Sequence, residues 1–154
     1  MRNRKDFGML RIAIFFALFL FFSNCFPQIR NHKHQFEKYD SDSPKSILSK
    51  VEEGFNNGDV EKFAKYFCSQ TYASLSNGVS GYYSPNQFFY IIQNYFNIYK
   101  PIGFRFIVVN DSTENPYASG LYKYESGGIR GNSQVFISLK IIGNDWKISQ
   151  ITIN

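Results

Sequence analysis

Hydrophobic residues recur at helical spacing in three stretches of the chain. The three apolar sets are Ile47, Leu48, Val51 and Phe55; Val60, Phe63, Ala64 and Phe67; and Phe88, Ile91, Ile92, Tyr95, Phe96 and Tyr99. Repeats of three and four residues place each set on one side of a helix. We therefore predict three amphipathic helices, over residues 44–56, 59–68 and 85–99, each with one buried face.

The residues at the ends of these stretches support the three helices. Ser43-Pro44 is an N-cap followed by proline at the first helical position, and Ser84 with Gln87 has the spacing of a capping box. Gly58 can adopt the left-handed conformation that closes a helix. Pro101 disfavours helical geometry in Lys100, so we expect the third helix to end there.

The remaining polar and apolar positions alternate with the period of a strand. Alternation on both sides of Asn77-Gly78 predicts a small hairpin between the second and third helices. From Ile102 onward, four strand-like segments are separated by short turns, which predicts an antiparallel meander. The segments are "IGFRFIVVN", "YASGLYKYES", "SQVFISLKII" and "WKISQITIN". We expect Trp146, at the start of the last strand, to be largely buried near the first two helices.

The order of these elements predicts an α+β fold. Two helices, a hairpin, a long helix and then four strands suit a domain in which the helices cover one face of a curved sheet. We place this domain at residues 44–154. Residues 29–43 are polar and mixed in charge, which is typical of a flexible tether.

Residues 1–28 have the composition of an export signal. A basic start is followed by an apolar run from Ile12 to Phe22, which is too short to span a bilayer. The sequence Phe22-Ser23-Asn24-Cys25 resembles a lipobox, so Cys25 is a candidate lipidation site, or it is lost with the signal or lies beside the cut. We expect a periplasmic protein or a membrane-tethered lipoprotein, with contact to the membrane only through the signal or a lipid anchor.

Charge and residue types exclude several classes of function. Residues 29–154 hold 13 basic and 11 acidic residues, and without a basic stripe we expect no nucleic-acid partner. The two histidines, His32 and His34, both lie in the predicted tether. Cys68 follows an apolar helix face and is interpreted as a buried apolar filler. We therefore expect no metal, no cofactor and no catalytic nucleophile.

The domain resembles a known superfamily of cone-shaped folds. The segments "FNNGDVEKFAKYF", "YYSPNQFFYIIQNYF", "YASGLYKY" and "WKISQITIN" are similar, in this order, to the nuclear transport factor 2-like fold, also called cystatin-like or SnoaL-like. More narrowly, residues 46–154 resemble an exported Bacteroidota family of unknown function. The resemblance implies three N-terminal helices packed on a curved antiparallel sheet, often with a pocket inside the cone. Members often carry a histidine and a glycine late in the first long strand, where this chain has Val108-Val109-Asn110-Asp111.

Tyrosine is the residue type that suggests a site. Ten of the 11 tyrosines lie in the predicted domain, and tyrosine combines apolar area with one polar tip. They would equally serve as filling for half-buried strands and helices. We name Tyr90, Tyr122 and Arg105 as candidate ligand contacts, since Arg105 is the one charge in an apolar strand. An ion pair between Arg105 and Glu52 or Glu53 at the pocket mouth is a further option.

The sequence favours a non-catalytic exported domain that binds a small ligand or a protein partner in or beside the cone. Two alternatives stay open. One is an enzyme of the dehydratase or isomerase type that uses a tyrosine with a carboxylate inside the cone. The other is a structural module that forms a homodimer through the exposed sheet.

Overall fold

The computed structural model describes residues 42–112 and 114–154. The predicted signal over 1–28, with Cys25, and most of the predicted tether lie outside the described residues. The described elements are helices α1 (Pro44–Asn57), α2 (Glu61–Ala64) and α3 (Pro85–Ile98), and strands β1 (Phe67–Leu75), β2 (Ser80–Tyr83), β3 (Lys100–Asn110), β4 (Tyr117–Ser126), β5 (Ile129–Ile142) and β6 (Asp145–Ile153). None of these helices has the length and apolar content that a bilayer crossing requires.

The ends of α1 and α3 match the signals in the sequence. The Ser43 hydroxyl accepts a hydrogen bond from the Ser46 amide at 3.2 Å, and Pro44 is the first helical residue. Gly58 closes α1 with a φ of 66°, in the left-handed region that glycine adopts without strain. Ser84 and Gln87 form the predicted capping box of α3. The first and third predicted helices are therefore confirmed to within one residue.

The second predicted helix, over 59–68, is wrong in its length. The helix α2 has only four residues, and the chain is already a strand at Phe67. The Tyr66 carbonyl accepts a hydrogen bond from the Ile148 amide at 2.7 Å, so pairing with β6 draws the chain out of helical geometry. Cys68 is buried as expected, but it lies in β1 and not at the end of a helix.

Six strands form one curved, open sheet in the order β2-β1-β6-β5-β4-β3. The four strands after α3 pair antiparallel, as the meander predicts, and the predicted hairpin is β1 with β2. The pair β1–β6 is parallel, which the sequence did not indicate, because these strands lie far apart in the chain. Register shifts in β3 mark bulges, which increase the local bend and twist of a strand. The predicted α+β cone fold is confirmed.

The core lies between the helices and the inner face of the sheet. Apolar side chains of α1 and α3 are buried against alternate residues of β1, β4, β5 and β6. The alternation gives each strand an inner apolar face and an outer, more polar face. Trp146 packs on the edge of this core but is only partly buried, so the expectation of a largely buried tryptophan is corrected.

Candidate functional site

Four of the tyrosines that stand out in the sequence meet in one cluster, which we call the tyrosine quartet. It consists of Tyr95 and Tyr99 from α3 and Tyr122 and Tyr124 from β4, with each ring in contact with two others. Ring centroids are 4.6 Å apart for Tyr95–Tyr99, 5.0 Å for Tyr99–Tyr124, 5.8 Å for Tyr122–Tyr124 and 6.3 Å for Tyr95–Tyr122. Tyr95 and Tyr122 are fully buried, whereas Tyr99 and Tyr124 are partly exposed.

Hydroxyl groups of the quartet have partners within the chain. The Tyr122 hydroxyl donates to the Tyr99 carbonyl oxygen, and the hydroxyls of Tyr95 and Ser76 are hydrogen-bonded at 3.0 Å. Burial raises the pKa of Tyr95 and Tyr122 above the ordinary value for tyrosine. Both side chains are therefore neutral at physiological pH, and they serve as hydrogen-bonding groups and not as bases.

The rest of the cone interior is filled with aromatic rings. Phe55 of α1 lies at its centre, with ring centroids 5.0 Å from Phe96, 4.8 Å from Phe104 and 5.8 Å from Tyr122. Apart from tyrosine, the buried polar side chains of the described residues are Thr71 and Ser133. An interior built in this way offers packing area but, in the described part of the chain, no carboxylate or imidazole.

A cleft of about 330 Å³ lies beside the cone, on the outer face of β3 and β4. It is lined by Asn56, Gly103, Phe104, Arg105, Leu121 and Lys123. Gly103 stands opposite Lys123, and Arg105 stands opposite Leu121, so the four alternate on the same face of the two strands. A side chain built at Gly103 would meet nothing within 4 Å. The missing side chain at Gly103 therefore leaves an open hollow with two cationic neighbours.

The helix α1 forms the remaining wall of the cleft by binding the free edge of β3. The Asn56 amide oxygen accepts from the Phe104 amide, and its nitrogen donates to the Phe104 carbonyl, both at 2.8 Å. One turn earlier, the Glu52 carboxylate accepts from the Phe106 amide at 3.1 Å. These two side chains replace the neighbouring strand that an edge strand lacks, and they fix the cleft on a rigid frame.

The three site residues predicted from the sequence lie in three different places. Arg105 is exposed in the cleft, Tyr122 is inside the quartet, and Tyr90 is 67% exposed on α3, where its ring meets Phe89. Of the two carboxylates considered as partners of Arg105, Glu52 binds the β3 edge, and Glu53 pairs with Lys62 at 2.8 Å. In residues 42–112 and 114–154, no three side chains of the metal-binding types gather into a cluster.

A comparison with models of protein families identifies the family of this domain. Residues 48–154 match the family model described as domain of unknown function DUF4783. The chain belongs to the DUF4783 family. A search of curated proteins gave no match.

Comparison with solved structures shows which fold this DUF4783 domain has. A DUF4783 protein from Bacteroides uniformis is 19% identical with a TM-score of 0.62, covering 69% of this chain and 94% of its own. One from Bacteroides ovatus is 23% identical with a TM-score of 0.59, covering 68% and 91%. A Catenulispora acidiphila protein with a ketosteroid isomerase-like fold, in complex with trimethylamine, is 9% identical with a TM-score of 0.57, covering 73% and 86%. The DUF4783 domain thus has the nuclear transport factor 2-like, cystatin-type fold.

Of the six residues that line the cleft, the sequence analysis named Arg105 alone as a candidate ligand contact, and Lys123 and Gly103 are the missed residues that matter most to the DUF4783 cleft. Lys123 did not attract attention because it appears as an ordinary polar position in the alternation of β4. Gly103 carried a usable signal, since a glycine inside an apolar strand often marks a place where something else approaches the backbone. Its position two residues before Arg105 would have placed the two residues on the same face of β3.

Proposed function

We propose that this chain is an exported, non-catalytic domain that binds a small anionic ligand in the cleft beside the cone. The observation that carries the proposal is the hollow at Gly103, flanked by Arg105 and Lys123, on an outer face, while the interior of the cone is filled with rings. The export signal expected over residues 1–28 supports a periplasmic location or a lipid anchor at Cys25.

The dimensions and chemistry of the cleft support a small ligand. Its volume of about 330 Å³ falls at the lower end of the range of ligand pockets, which begins at about 300 Å³. The Arg105 guanidinium presents a planar fork that suits a carboxylate or phosphate group, and Lys123 adds a mobile point charge. Leu121 supplies an apolar wall between them. We therefore expect ligands with one or two anionic groups and a short carbon skeleton.

The experiment measures stabilisation of the full chain by small molecules in pairs that differ in charge, such as glucose 6-phosphate against glucose, and citrate against glycerol. An increase in melting temperature for the anion alone, lost in Arg105→Gln, Lys123→Gln and Gly103→Leu, supports the proposal. Lys45→Gln is the matched control, because Lys45 is exposed on α1 and lies outside the cleft lining. Stabilisation that persists in all three cleft variants would place the ligand elsewhere.

The dehydratase or isomerase alternative has less support. It needs a carboxylate next to a tyrosine inside the cone, and Tyr95 and Tyr122, the two buried tyrosines of the quartet, are instead hydrogen-bonded to a serine and to a backbone carbonyl. Tyr66 does donate to a carboxylate, but that carboxylate belongs to Asp42, which is only partly buried where the described part of the chain begins.

A homodimer formed through the sheet is a second candidate function. On the outer face, Tyr117 stacks on Phe136 with ring centroids 5.9 Å apart, and Tyr72 meets Tyr82 at 5.1 Å. Uncharged side chains, such as Gln150 and Thr152, lie in register between the two pairs. Sedimentation of the full chain over a range of concentrations tests this candidate. A dimer that Phe136→Lys dissociates would support it, and a monomer throughout would contradict it.

A further inference from the structure

A stretch of the outer sheet face next to the cleft carries no charged side chain. We call it the uncharged band, and its residues on β4, β5 and β6 are Ser119, Phe136, Thr152, Tyr117, Ser138 and Gln150. The first three and the last three of these residues are partners across the strands, so the band is two rows wide. Their sequence neighbours, such as Ala118, Ile137 and Ile151, are buried, which turns the band outward.

An aromatic pair and two amide side chains connect this band with the cleft. Tyr117 stacks on Phe136 with ring planes 28° apart. Gln134 and Asn132, both exposed, are the cross-strand partners of two cleft residues. Phe136 lies two residues beyond Gln134 along β5, and Tyr117 lies four residues beyond Leu121 along β4. At about 3.3 Å per residue, the aromatic pair is therefore roughly 7 to 13 Å from the cleft wall, a span that a disaccharide can bridge.

The cleft end of this surface is positively charged. The outer-face charges of β3, β4 and β5 at this end are Lys100, Arg105, Lys123, Glu125 and Arg130. From the side of α1, Glu52 accepts from the Phe106 amide. The other two carboxylates there, Glu53 and Asp59, interact with Lys50 and Lys62. Four cations against Glu125 and Glu52 leave an excess of positive charge for an anionic group.

The opposite end of the band has no such excess. The Pro116 carbonyl accepts a hydrogen bond from the Leu139 amide there, which brings the β3–β4 loop next to the β5–β6 hairpin. The charges at this end are three cations and four carboxylates, namely Lys65, Lys140, Lys147, Asp42, Asp111, Glu114 and Asp145. The distribution of charge thus suits a ligand that is anionic at the cleft and neutral over the band.

The side chains of the band suit a sugar better than a protein surface. A pyranose ring presents C–H groups on its faces, which are attracted to the negative face of an aromatic ring, and hydroxyl groups around its rim. Gln134, Asn132 and Ser119 offer these hydroxyls both donors and acceptors. Exposed aromatic rings occur at both kinds of surface, but serine is depleted at protein–protein interfaces. The band and its continuation onto β1 and β2 hold Ser119, Ser138, Ser74 and Ser80.

We propose that the ligand of the cleft is an acidic oligosaccharide. Its anionic unit binds between Arg105 and Lys123, and the next sugar unit is neutral and lies against the rings of the aromatic pair. This ligand class rests on the anion site proposed above and adds a neutral sugar to it. The second copy of the chain considered above would cover the same rings, so a dimer and the oligosaccharide exclude each other on this face.

Lactobionate contains both parts of such a ligand, because it joins a galactose ring to the carboxylate-bearing gluconate chain. Gluconate lacks the galactose, and lactose lacks the charge. Titration calorimetry of the full chain compares the three compounds. We expect lactobionate to bind about fivefold more tightly than gluconate, because the galactose adds one contact with aromatic rings. Lactose should bind about tenfold more weakly than lactobionate, because it makes no charge-assisted hydrogen bond.

Four variants separate the aromatic pair from the anion site. Tyr117→Ser and Phe136→Leu remove one aromatic face each, and each should weaken lactobionate binding about fivefold while gluconate binding stays unchanged. Leucine keeps the apolar volume at position 136, so this variant tests the ring if the serine variant fails to fold. Arg105→Gln should weaken both lactobionate and gluconate. Tyr82→Ser is the matched control, because Tyr82 is 70% exposed on β2, away from the cleft, and its loss should change neither affinity.

The outcomes distinguish the oligosaccharide from the anion site itself. Equal affinities for lactobionate and gluconate, or binding of citrate without binding of lactobionate, would overturn the acidic oligosaccharide and leave the anion site intact. A Tyr82 variant that behaves like the Tyr117 variant would do the same. Lactobionate and lactose bound equally well, with no effect of Arg105→Gln, would overturn both proposals. A dimer that covers Tyr117 and persists in lactobionate would also overturn the oligosaccharide.

Discussion

The clearest prediction about the stability of the domain concerns Asn56. Its side chain makes two hydrogen bonds to the Phe104 backbone at 2.8 Å and one to the Glu52 carbonyl at 2.9 Å. The substitution Asn56→Asp keeps the size and the oxygen that accepts from the Phe104 amide. It removes the donor and places a carboxylate oxygen against the Phe104 carbonyl. The change therefore isolates the amide group that completes the edge of β3.

The expected loss of stability in Asn56→Asp follows from the number of hydrogen bonds removed and from their exposure to solvent. Asp cannot donate to the Phe104 or the Glu52 carbonyl, so two hydrogen bonds are lost, each worth about 1 kcal/mol net. Repulsion between two oxygens adds to this loss. Asn56 itself is solvent-exposed, so water replaces part of what is lost. We expect the free energy of unfolding to fall by about 2 kcal/mol, which lowers the melting temperature of a domain of this size by roughly 8 °C.

Thermal and urea denaturation, followed by far-ultraviolet circular dichroism, measure this change. Asn94→Asp is the matched control, because Asn94 is exposed on α3 and undergoes the same chemical change. Hydrogen exchange of the Phe104 and Phe106 amides adds a local readout, since both amides are bonded to α1 side chains and both should exchange faster in the Asn56 variant. If Asn56→Asp and Asn94→Asp unfold within about 0.5 kcal/mol of each other, α1 does not stabilise the β3 edge in the way described.

Three further predictions follow from the packing of β4 and the quartet. Tyr122→Phe removes the hydroxyl that donates to the Tyr99 carbonyl and should cost about 1.5 kcal/mol in urea denaturation; an unchanged midpoint would contradict this bond. Gly120→Ala places a methyl group against the Arg105 carbonyl and should lower the free energy of unfolding by about 3 kcal/mol. Gly103→Ala meets open space, so its free energy of unfolding should stay within about 0.5 kcal/mol of the unchanged protein. Equal stabilities of the two variants would refute the packing described for Gly120. Burial raises the pKa of Tyr95 and Tyr122, so their contribution to the free energy of unfolding is complete below pH 10. It is lost as the pH rises from there towards their folded pKa values, by up to about 1.4 kcal/mol per group and pH unit. Tyrosinate absorbance that develops before unfolding would contradict this prediction.

The sequence predicted the elements of the fold wherever local chemistry decides them. Caps at Ser43, Gly58 and Ser84 act through bonds within a few residues, and the helices that they bound were predicted closely. The error in the second helix has the opposite origin. Phe67 continues the helical spacing of Val60 and Phe63, but it belongs to a strand whose partner is β6, about 80 residues away in the chain. The spacing of hydrophobic residues over a few positions carries no information about a strand partner that lies so far away in the chain.

The candidate site was harder to predict because its geometry depends on which face of the sheet is covered. Alternation groups Gly103 with Arg105 but does not say whether that face turns towards the helices. The structure turns it outward, since Phe104 on the opposite face packs against Phe55. The position of Arg105 in a cleft on the outer face therefore depends on packing that the sequence alone does not show. Tyr90 and Tyr122 belong to different surfaces, which residue type alone could not reveal.

The distribution of tyrosine partners supports the proposal that a ligand binds in the cleft and not inside the cone. A tyrosine that recognises a ligand needs a hydroxyl whose hydrogen bond is open to that ligand, because a group already bonded within a packed core gives up that bond before it gains another. The buried hydroxyls of Tyr95 and Tyr122 are bonded to Ser76 and to the Tyr99 backbone. Their rings fill the volume that a ligand would otherwise occupy. By contrast, the guanidinium of Arg105 is exposed beside an empty hollow, so binding there displaces solvent without dismantling the fold. The many tyrosines thus reflect how the interior of this cone is packed, whereas Gly103, two residues from Arg105, marks an open space on the surface that a ligand could occupy.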